Sequence, residues 1–198
     1  MAIDPLEALS AALSALAVWL TVRQRVACWP VGAVSVALYA VVFYRTRLYA
    51  DAGLQIVYFA FCLYGWWAWQ HGGRDRGPLA VSRVPVRAAA ALAGAAVAAT
   101  AGIGWLLASG TDASFPFLDS SLAAASLAAQ WMQTRKWLEN WAVWVAVDAV
   151  YVGLYLAKGM GLTALLYAGF LALAVAGWVE WRRAPAVAEL PSAQPVTS

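Results

Sequence analysis

The sequence contains very little charge. Lysine and arginine number 13 and aspartate and glutamate 10 among 198 residues, so charged residues make up 12% of the chain. Soluble domains usually carry about twice that share, about 25%. Apolar residues make up 64%, and so little polar surface cannot cover a globule in water. The composition therefore excludes an ordinary soluble domain and predicts an integral membrane protein surrounded by lipid.

Reactive and metal-binding side chains are also scarce. The one histidine, His71, lies in a loop rich in glycine and arginine, and the two cysteines, Cys28 and Cys62, lie in or beside apolar runs. Two cysteines cannot build a disulfide framework. No metal-ligand cluster, Ser–His–acid arrangement or P-loop can be assembled from the sequence. We therefore predict no metal and no cofactor, and an intramembrane enzyme becomes the weakest hypothesis.

What the sequence does contain is a duplication. The units cover about 6–69 and 118–181 and align without a gap, at the constant offset that carries Trp29 onto Trp141. We call two residues related by this repeat offset repeat mates. Tryptophan falls on tryptophan four times and tyrosine on tyrosine once, at Trp19/Trp131, Trp29/Trp141, Trp66/Trp178, Trp69/Trp181 and Tyr39/Tyr151. A duplicated apolar unit is typical of transporters, which bind the substrate between their two halves.

Seven stretches are long and apolar enough to cross a bilayer, which takes about 17–25 residues. They are 5–22, 27–44, 51–70, 87–109, 117–134, 139–157 and 160–180. The fourth, 87–109, has no repeat partner, so we predict a linker helix that gives both three-helix units the same direction. The predicted fold class is all-α integral membrane, with seven transmembrane helices in a 3+1+3 parallel repeat. One transmembrane domain would cover 1–183, and the Ala/Pro-rich tail at 184–198 is predicted to be disordered and cytoplasmic.

Basic residues are distributed unevenly between the two sides of these spans. With the N-terminus outside, ten of the 13 lysines and arginines lie in inner loops, and only Arg45, Arg47 and Lys158 lie in outer loops. This bias predicts an outer N-terminus and a cytoplasmic C-terminus. Because these residues lie in loops between apolar runs and form no basic patch, we expect no nucleic-acid binding.

The sixth span carries a carboxylate among aromatic rings. Steps of 3, 4, 3 and 4 put five residues on one helix face, namely Trp141, Trp144, Asp148, Tyr151 and Tyr155. A carboxylate at membrane depth is costly and normally faces a cavity or a partner. Aromatic rings beside it suit a flat organic cation. The alternatives are that Asp148 bonds a neighbouring helix and that the tryptophans form an interfacial belt.

The third span has a similar mixed face, formed by Gln55, Tyr58, Cys62, Trp66 and Trp69. Gln55 could recognise an amide or a ribose hydroxyl, because its side chain offers two donors and one carbonyl acceptor. The alternative for Gln55 is a hydrogen bond between helices.

Both faces resemble motifs of the PnuC family of vitamin-precursor transporters. The resemblance covers nearly all of residues 6–183, and its motifs are WxxWxxx(N/D) in the sixth span and Gln–Tyr–Tyr-Gly-Trp in the third. It implies a SWEET-like bundle, assembled as a homotrimer in the bacterial inner membrane. It also implies passive transport of a vitamin precursor, which a cytoplasmic kinase traps by phosphorylation. The candidate substrate-binding residues are Trp141, Trp144, Asp148, Gln55, Tyr58, Tyr64, Trp66 and Tyr151.

The carboxylate of Asp148 favours a cationic vitamin precursor. Nicotinamide riboside and thiamine are aromatic cations, whereas riboflavin is neutral and gains less from a carboxylate. We therefore predict uniport of nicotinamide riboside for NAD biosynthesis, with thiamine second and riboflavin third. A structural membrane subunit is the alternative from a different class, but it would not need an aromatic–carboxylate face inside a duplicated core.

Overall fold

A computed structural model describes residues 4–47, 49–110 and 115–184, and within these ranges the chain forms seven long α-helices. They are α1 (Pro5–Val22), α2 (Cys28–Arg45), α3 (Tyr49–His71), α4 (Val86–Gly110), α5 (Pro116–Thr134), α6 (Asn140–Ala157) and α7 (Gly161–Arg182). Each predicted span lies on one of these helices, and every end agrees within two residues. The predicted disordered tail lies outside the described residues, except for Ala184.

Local sequence explains several helix boundaries. The Asp4 carboxylate caps α1 by accepting a hydrogen bond from the backbone N–H of Leu6 at 2.9 Å, and Pro5 occupies the first turn, where its missing N–H is not needed. After α1 and α5, Gln24 (φ 53°) and Lys136 (φ 51°) adopt the left-handed conformation. This conformation ends each helix and lets the chain turn quickly into the next one.

Five of the helices, α1, α2, α4, α6 and most of α7, are long and apolar enough to cross a membrane. The other two, α3 and α5, have 23 and 19 residues, or about 35 and 28 Å at 1.5 Å per residue. They have the length but a lower mean hydropathy, because α3 is rich in tyrosine and tryptophan and α5 in serine and glutamine. Several of these point into the bundle, since Ser120 and Ser126 of α5 are buried.

The helices pack as two groups of three. In the first group α1, α2 and α3 pack in sequence, and in the second α5, α6 and α7 do the same. The groups meet where α1 packs on α7 and α3 packs on α5, while α4 packs on α5. Exchanging each helix for its counterpart in the other repeat converts the first of these two contacts into the second. The free side of α4 exposes Val97, Trp105 and Leu106, as expected for a surface in contact with lipid.

Four tryptophans fill the bundle near one end. Trp29 meets Trp69 edge to face with ring centroids 5.3 Å apart, and Trp141 meets Trp181 in the same way at 5.3 Å. Trp69 and Trp181 are also in contact, at 5.8 Å. We call these four residues the tryptophan cluster. We call this end of the bundle the basic end, because the α1–α2 and α5–α6 loops there carry arginine and lysine.

The tryptophan cluster connects the two helix groups. Trp69 of α3 donates its indole N–H to the carbonyl oxygen of Gln133 in α5 at 3.0 Å. Trp181 of α7 donates in the same way to the carbonyl oxygen of Thr21 in α1 at 3.1 Å. The two donors are repeat mates, and so are the two acceptors. These paired bonds hold the groups together at the basic end.

Two glycines make room for this cluster. A Cβ atom at Gly65 would overlap the ring of Trp29, and one at Gly177 would overlap the ring of Trp141. The two glycines are repeat mates, as are the two tryptophans that they meet. The residue matches in the sequence therefore correspond to matching contacts in the structure.

The connection between α3 and α4 departs from this pattern. Part of it, residues 77–85, which we call the strap, crosses to the second helix group. Ser82 donates its backbone N–H to the carbonyl oxygen of Lys136 at 3.1 Å and accepts a hydrogen bond from the N–H of Leu138 at 2.9 Å. The Glu139 carboxylate accepts the backbone N–H of Val84 at 2.8 Å. The strap thus attaches the linker to the α5–α6 loop.

Lys136 reinforces the strap. Its ammonium group donates to the carbonyl oxygen of Leu79 at 2.8 Å and lies 4.4 Å from the ring centroid of Trp69. The backbone N–H of Leu79 in turn donates to the carbonyl oxygen of Trp69 at 3.0 Å. The repeat mate of Lys136 is Gln24, which cannot supply a charge over an aromatic ring. The α3–α5 side of the basic end therefore carries contacts beyond the repeated pattern.

Candidate functional site: a cavity between the helix groups

A cavity of about 440 Å³ lies between the two helix groups. Its walls come from α1, α2, α3, α5, α6 and α7, and its lining is mostly apolar. Trp29 and Trp141 of the tryptophan cluster line it near the basic end. A cavity of this size, apolar with a few polar groups, is typical of a binding site for a small organic molecule.

Asp148 places a carboxylate in the cavity wall. It is 6% exposed and lies eight residues after Asn140, about 12 Å along α6. Within the described part of the chain, no group forms a hydrogen bond or an ion pair with this carboxylate. The predicted alternative of a bond to a neighbouring helix is therefore not seen there. A ligand that brings positive charge or hydrogen-bond donors would compensate the carboxylate for its lost hydration.

Aromatic side chains form much of the remaining wall. Trp141 and Trp144 come from α6, Tyr58 from α3, and Tyr167 and Phe170 from α7. Their rings offer flat faces on which an aromatic ligand can stack and to which a cation is attracted. The cavity thus combines ring faces with one carboxylate.

Amide groups enter the lining from α3 and α5. Gln55, Gln130 and Gln133 all line the cavity. Each side chain offers two donors and a carbonyl acceptor, so these residues can bond a ligand amide or hydroxyl. The backbone carbonyl of Gln133 also accepts the indole N–H of Trp69, which links the cavity wall directly to the tryptophan cluster.

The first helix group presents hydroxyl groups. Ser14 of α1 and Ser35 of α2 line the cavity, and their Oγ atoms are 2.7 Å apart. The Ser35 hydroxyl donates to the carbonyl oxygen of Ser10 at 2.8 Å. These serines are not among the residues predicted from the sequence to bind substrate. The available signal was the presence of several serines in otherwise apolar spans.

Five of the eight predicted binding residues line the cavity: Trp141, Trp144, Asp148, Gln55 and Tyr58. The two spans that supplied them, the third and the sixth, were chosen for their 3-and-4 spacing. The spacing had placed these residues on two separate helix faces, and the structure brings the two faces together around one cavity.

Tyr64 and Trp66 lie outside the lining, nearer the basic end of α3. The Tyr64 hydroxyl accepts a hydrogen bond from the Arg135 guanidinium at 2.7 Å, and its ring stacks on Trp131 with centroids 5.4 Å apart. Trp66 is 42% exposed. The spacing put Trp66 on the face of Gln55, but its side chain lies at the surface of the bundle instead of in the cavity wall.

Tyr151 also lies outside the lining. Its ring is 5.9 Å from that of Tyr155 and 4.7 Å from that of Tyr167, measured between centroids. Tyr167 lines the cavity, so Tyr151 supports the wall from behind. Its repeat mate Tyr39 does line the cavity. The two tyrosines are therefore equivalent in the sequence repeat but not in their contact with the cavity.

The model of the nicotinamide mononucleotide transporter family matches residues 4–183. This chain belongs to that family, the PnuC family. The resemblance found in the two motifs is thereby confirmed. Membership, together with the apolar helices, makes the chain a multi-pass membrane transporter of a small molecule.

The relatives that this chain resembles are named for different substrates. The chain is 23% identical over 201 residues to the nicotinamide riboside transporter PnuC of Escherichia coli, covering 89% of this chain and 84% of that protein. It is 30% identical over 165 residues to the riboflavin/roseoflavin transporter RibM of Streptomyces davaonensis, covering 80% and 76%. The crystal structure of the vitamin B3 transporter PnuC matches with a TM-score of 0.68 at 24% identity, covering 90% of this chain and 80% of that one. The fold is therefore shared.

Proposed function

We propose that this PnuC-family chain carries nicotinamide riboside across the bacterial inner membrane by facilitated uniport, as a supply for NAD biosynthesis. The observation that carries the proposal is the carboxylate of Asp148, which has no partner among the described residues and lies in a cavity lined with aromatic rings. Nicotinamide riboside joins a flat pyridinium cation to a sugar. The cation gains charge attraction from Asp148 and stacking from the rings. Phosphorylation in the cytoplasm would maintain the inward gradient.

The proposed binding roles follow the cavity wall. Trp144 and Trp141 stack on the pyridinium ring, Asp148 balances its charge, and Gln55 bonds the carboxamide. Tyr58 covers the face opposite the tryptophans. Outside the lining, Tyr64, Trp66 and Tyr151 take supporting positions that keep the wall helices in place.

We propose further that the architecture is a SWEET-like 3+1+3 parallel repeat. Repeat one would cover 6–69, the linker helix 87–109 and repeat two 118–181. The contacts that recur between repeat mates support this division. Rocking of one group against the other would alternate access to the cavity. The positive-inside bias supports an outer N-terminus and a cytoplasmic C-terminus, and assembly as a homotrimer remains part of the proposal.

Riboflavin is the second candidate substrate. The specific observation in its favour is the 30% identity to RibM, a riboflavin/roseoflavin transporter. Its flavin ring system is flat and would stack on the same rings, but it is neutral and gains less from Asp148. Thiamine is the third candidate, because it has a cationic aromatic ring, as nicotinamide riboside does, but no sugar.

Uptake of labelled nicotinamide riboside into proteoliposomes tests the proposal. We expect saturable uptake that unlabelled nicotinamide riboside abolishes and that riboflavin and thiamine inhibit weakly. Uptake of labelled riboflavin alone would overturn the substrate and leave the transporter class intact. No uptake of any of the three compounds above the rate of empty liposomes would favour the structural-subunit alternative.

A further inference from the structure

We infer that Ser14 and Ser35 form a second polar subsite of the cavity, which binds the hydroxyl groups of a sugar or sugar-alcohol chain on the substrate. The inference rests on the proposed transport function and specifies its substrate class. Ser14 would make the contact and Ser35 would orient it, because Ser14 is only partly buried whereas Ser35 is 1% exposed.

The hydrogen bonds fix the direction of the serine pair. A hydroxyl has one proton to donate and two lone pairs with which to accept. Ser35 donates its proton to the carbonyl oxygen of Ser10, so in the 2.7 Å contact between the two hydroxyls the proton comes from Ser14. Ser14 has then used its proton and keeps its lone pairs. It therefore faces the cavity as an acceptor and selects a ligand group that donates.

The serine pair lies at about the depth of Asp148, on the other helix group. Ser14 is eight residues before Val22, at the basic end of α1, and Asp148 is eight residues after Asn140, at the basic end of α6. Both are therefore about 12 Å from the basic ends of their helices. The two helices belong to different groups, so a ligand held between the groups meets the carboxylate on one side and the serine pair on the other.

The two halves of the chain differ at Ser35 and Asp148, whereas Ser14 has a serine, Ser126, as its repeat mate, which is buried outside the cavity lining. The repeat mate of Ser35 is Val147, and the repeat mate of Asp148 is Val36. At Ser35 and Asp148 each helix group thus offers a polar side chain where the other offers valine. A symmetric ligand would not use this arrangement, whereas an aromatic ring joined to a polyhydroxyl chain would use both walls.

The substrate class that fits is an aromatic vitamin precursor that carries several hydroxyl groups in a row. Nicotinamide riboside presents the hydroxyls of its ribose, and riboflavin presents those of its ribityl chain. Thiamine has a single hydroxyl. The serine subsite therefore ranks both of the first two compounds above thiamine, on grounds independent of ring charge.

Binding of matched ligand pairs to the purified full-length protein tests the inference. Nicotinamide riboside is compared with 1-methylnicotinamide, which keeps the pyridinium ring and lacks the sugar, and riboflavin is compared with lumiflavin in the same way. One of the two ligand pairs should bind to the wild type. For the hydroxylated ligand of that pair, we expect Ser14→Ala to raise the dissociation constant by about fivefold, the effect of one net hydrogen bond. Binding of the sugar-free member should not change.

Ser121→Ala is the matched control. Ser121 is also partly buried, and its hydroxyl donates to the carbonyl oxygen of Leu118 within α5, away from the cavity lining. We expect this variant to bind both members of each pair like the wild type.

Three results would overturn the subsite. Ser14→Ala could bind nicotinamide riboside and riboflavin as tightly as the wild type does, or it could lose affinity for hydroxylated and sugar-free ligands equally, which would indicate a structural role. Stronger binding of thiamine than of either hydroxylated precursor by the wild type would also contradict it. If the wild type binds none of these ligands, the proposed function itself fails, and this outcome is separate from the comparison of variants.

Discussion

Asp148 is a carboxylate that the bundle buries without a partner among the described residues. Asp148→Asn keeps the shape of the side chain and removes its charge. We expect uptake of cationic nicotinamide riboside to fall by about tenfold, because the lost charge attraction in a partly buried site costs at least about 1.4 kcal/mol. Competition by neutral riboflavin should change less. Transport assays with both compounds measure the difference.

A suitable control for this prediction is Asp119→Asn, an exposed acid in the first turn of α5. It should transport like the wild type. Equal losses for the cation and the neutral compound in Asp148→Asn would show that the carboxylate supports the fold rather than a ligand charge.

Lys136 is a buried cation in the α5–α6 loop, outside the membrane spans. Burial lowers the pKa of Lys136 to about 8, and a nearby thiol, that of Cys28, opposes this shift. An unfolded lysine has a pKa of about 10.4. Between these values the unfolded state binds more protons, so the stability of the folded protein rises with pH from about 8 to about 10. Relative to Lys136→Met, the wild type should therefore gain thermal stability over this range.

Thermal unfolding in detergent at several pH values measures this effect. Between pH 6 and 7.5 the lysine is charged in both the folded and the unfolded state, so the difference between wild type and Lys136→Met should stay constant. A difference that stays constant up to pH 10 as well would contradict the prediction.

At the scale of single residues, sequence periodicity predicted part of the site. Steps of three and four grouped Asp148 with Trp144, but they could not tell at which depth a helix face borders open space, so Trp66 was included. Ser14 was missed for a different reason. A serine in an apolar helix commonly bonds the carbonyl one turn earlier, as Ser10 does to Leu6 at 2.7 Å. Nothing in the sequence distinguishes such a serine from one that lines a cavity.

Among the helices, close packing of α2 on α3 depends on one missing side chain. Gly65→Ala would push a Cβ atom into the ring of Trp29, and such overpacking typically costs about 1–3 kcal/mol. We expect a lower thermal midpoint and reduced transport. Gly177→Ala should behave in the same way, because it meets Trp141. The midpoint of unfolding in detergent reports the effect.

Gly94→Ala is the control for these variants, since a Cβ atom on α4 at this position meets nothing within 4 Å. It should be neutral or slightly stabilising, because alanine favours the helix more than glycine does. If Gly65→Ala were as stable as Gly94→Ala, the contact between the glycine and Trp29 would not limit helix packing.

Helix positions were the most predictable part of the structure. Apolar length bounded each span within two residues, and a proline or an acidic cap such as Asp4 marked some starts. Tyrosine and tryptophan in α3, and serine and glutamine in α5, lower the mean hydropathy of these two spans. The structure gives part of the reason, because Gln55 and Gln130 line the cavity rather than face lipid. The left-handed residues that end α1 and α5, Gln24 and Lys136, could not be anticipated, because neither is glycine or asparagine.

For the whole molecule, the basic end is held more firmly on one side than on the other. The strap and Lys136 reinforce the α3–α5 side, whereas the described contacts on the α1–α7 side include no comparable strap. Trp181→Phe removes the indole bond to Thr21 and keeps a ring. We expect Trp181→Phe to open the basic end more than Trp69→Phe does. In Trp69→Phe the indole bond to Gln133 is lost, but the strap still holds α3 to the second helix group.

The rate at which a maleimide labels Cys28 measures this opening, in a Cys62→Ser background in nanodiscs. Both cysteines are buried, and both line the cavity. Labelling should be faster in Trp181→Phe than in Trp69→Phe, and slowest with both tryptophans intact. Faster labelling in Trp69→Phe than in Trp181→Phe would contradict the prediction, because it would show that the α3–α5 side opens more easily than the α1–α7 side.

The duplication predicted the grouping of helices but not this asymmetry. The repeat offset pairs Trp69 with Trp181, and the structure gives each of them the same bond to the other group. The strap lies between the repeats, where no alignment applies, so nothing in the duplicated pattern indicated that it reaches Glu139 of the α5–α6 loop.

The matched tryptophan pairs lie at the basic end, whereas several repeat mates that differ in residue type line the cavity. The matched pairs, such as Trp29 and Trp141, hold the basic end, whereas Asp148 has Val36 as its counterpart and Trp144 has Gly32. Rewriting these unmatched positions would therefore change the ligand preference with little effect on the contacts that hold the basic end. The moving parts would be inherited unaltered, so variants with different preferences should share one transport cycle.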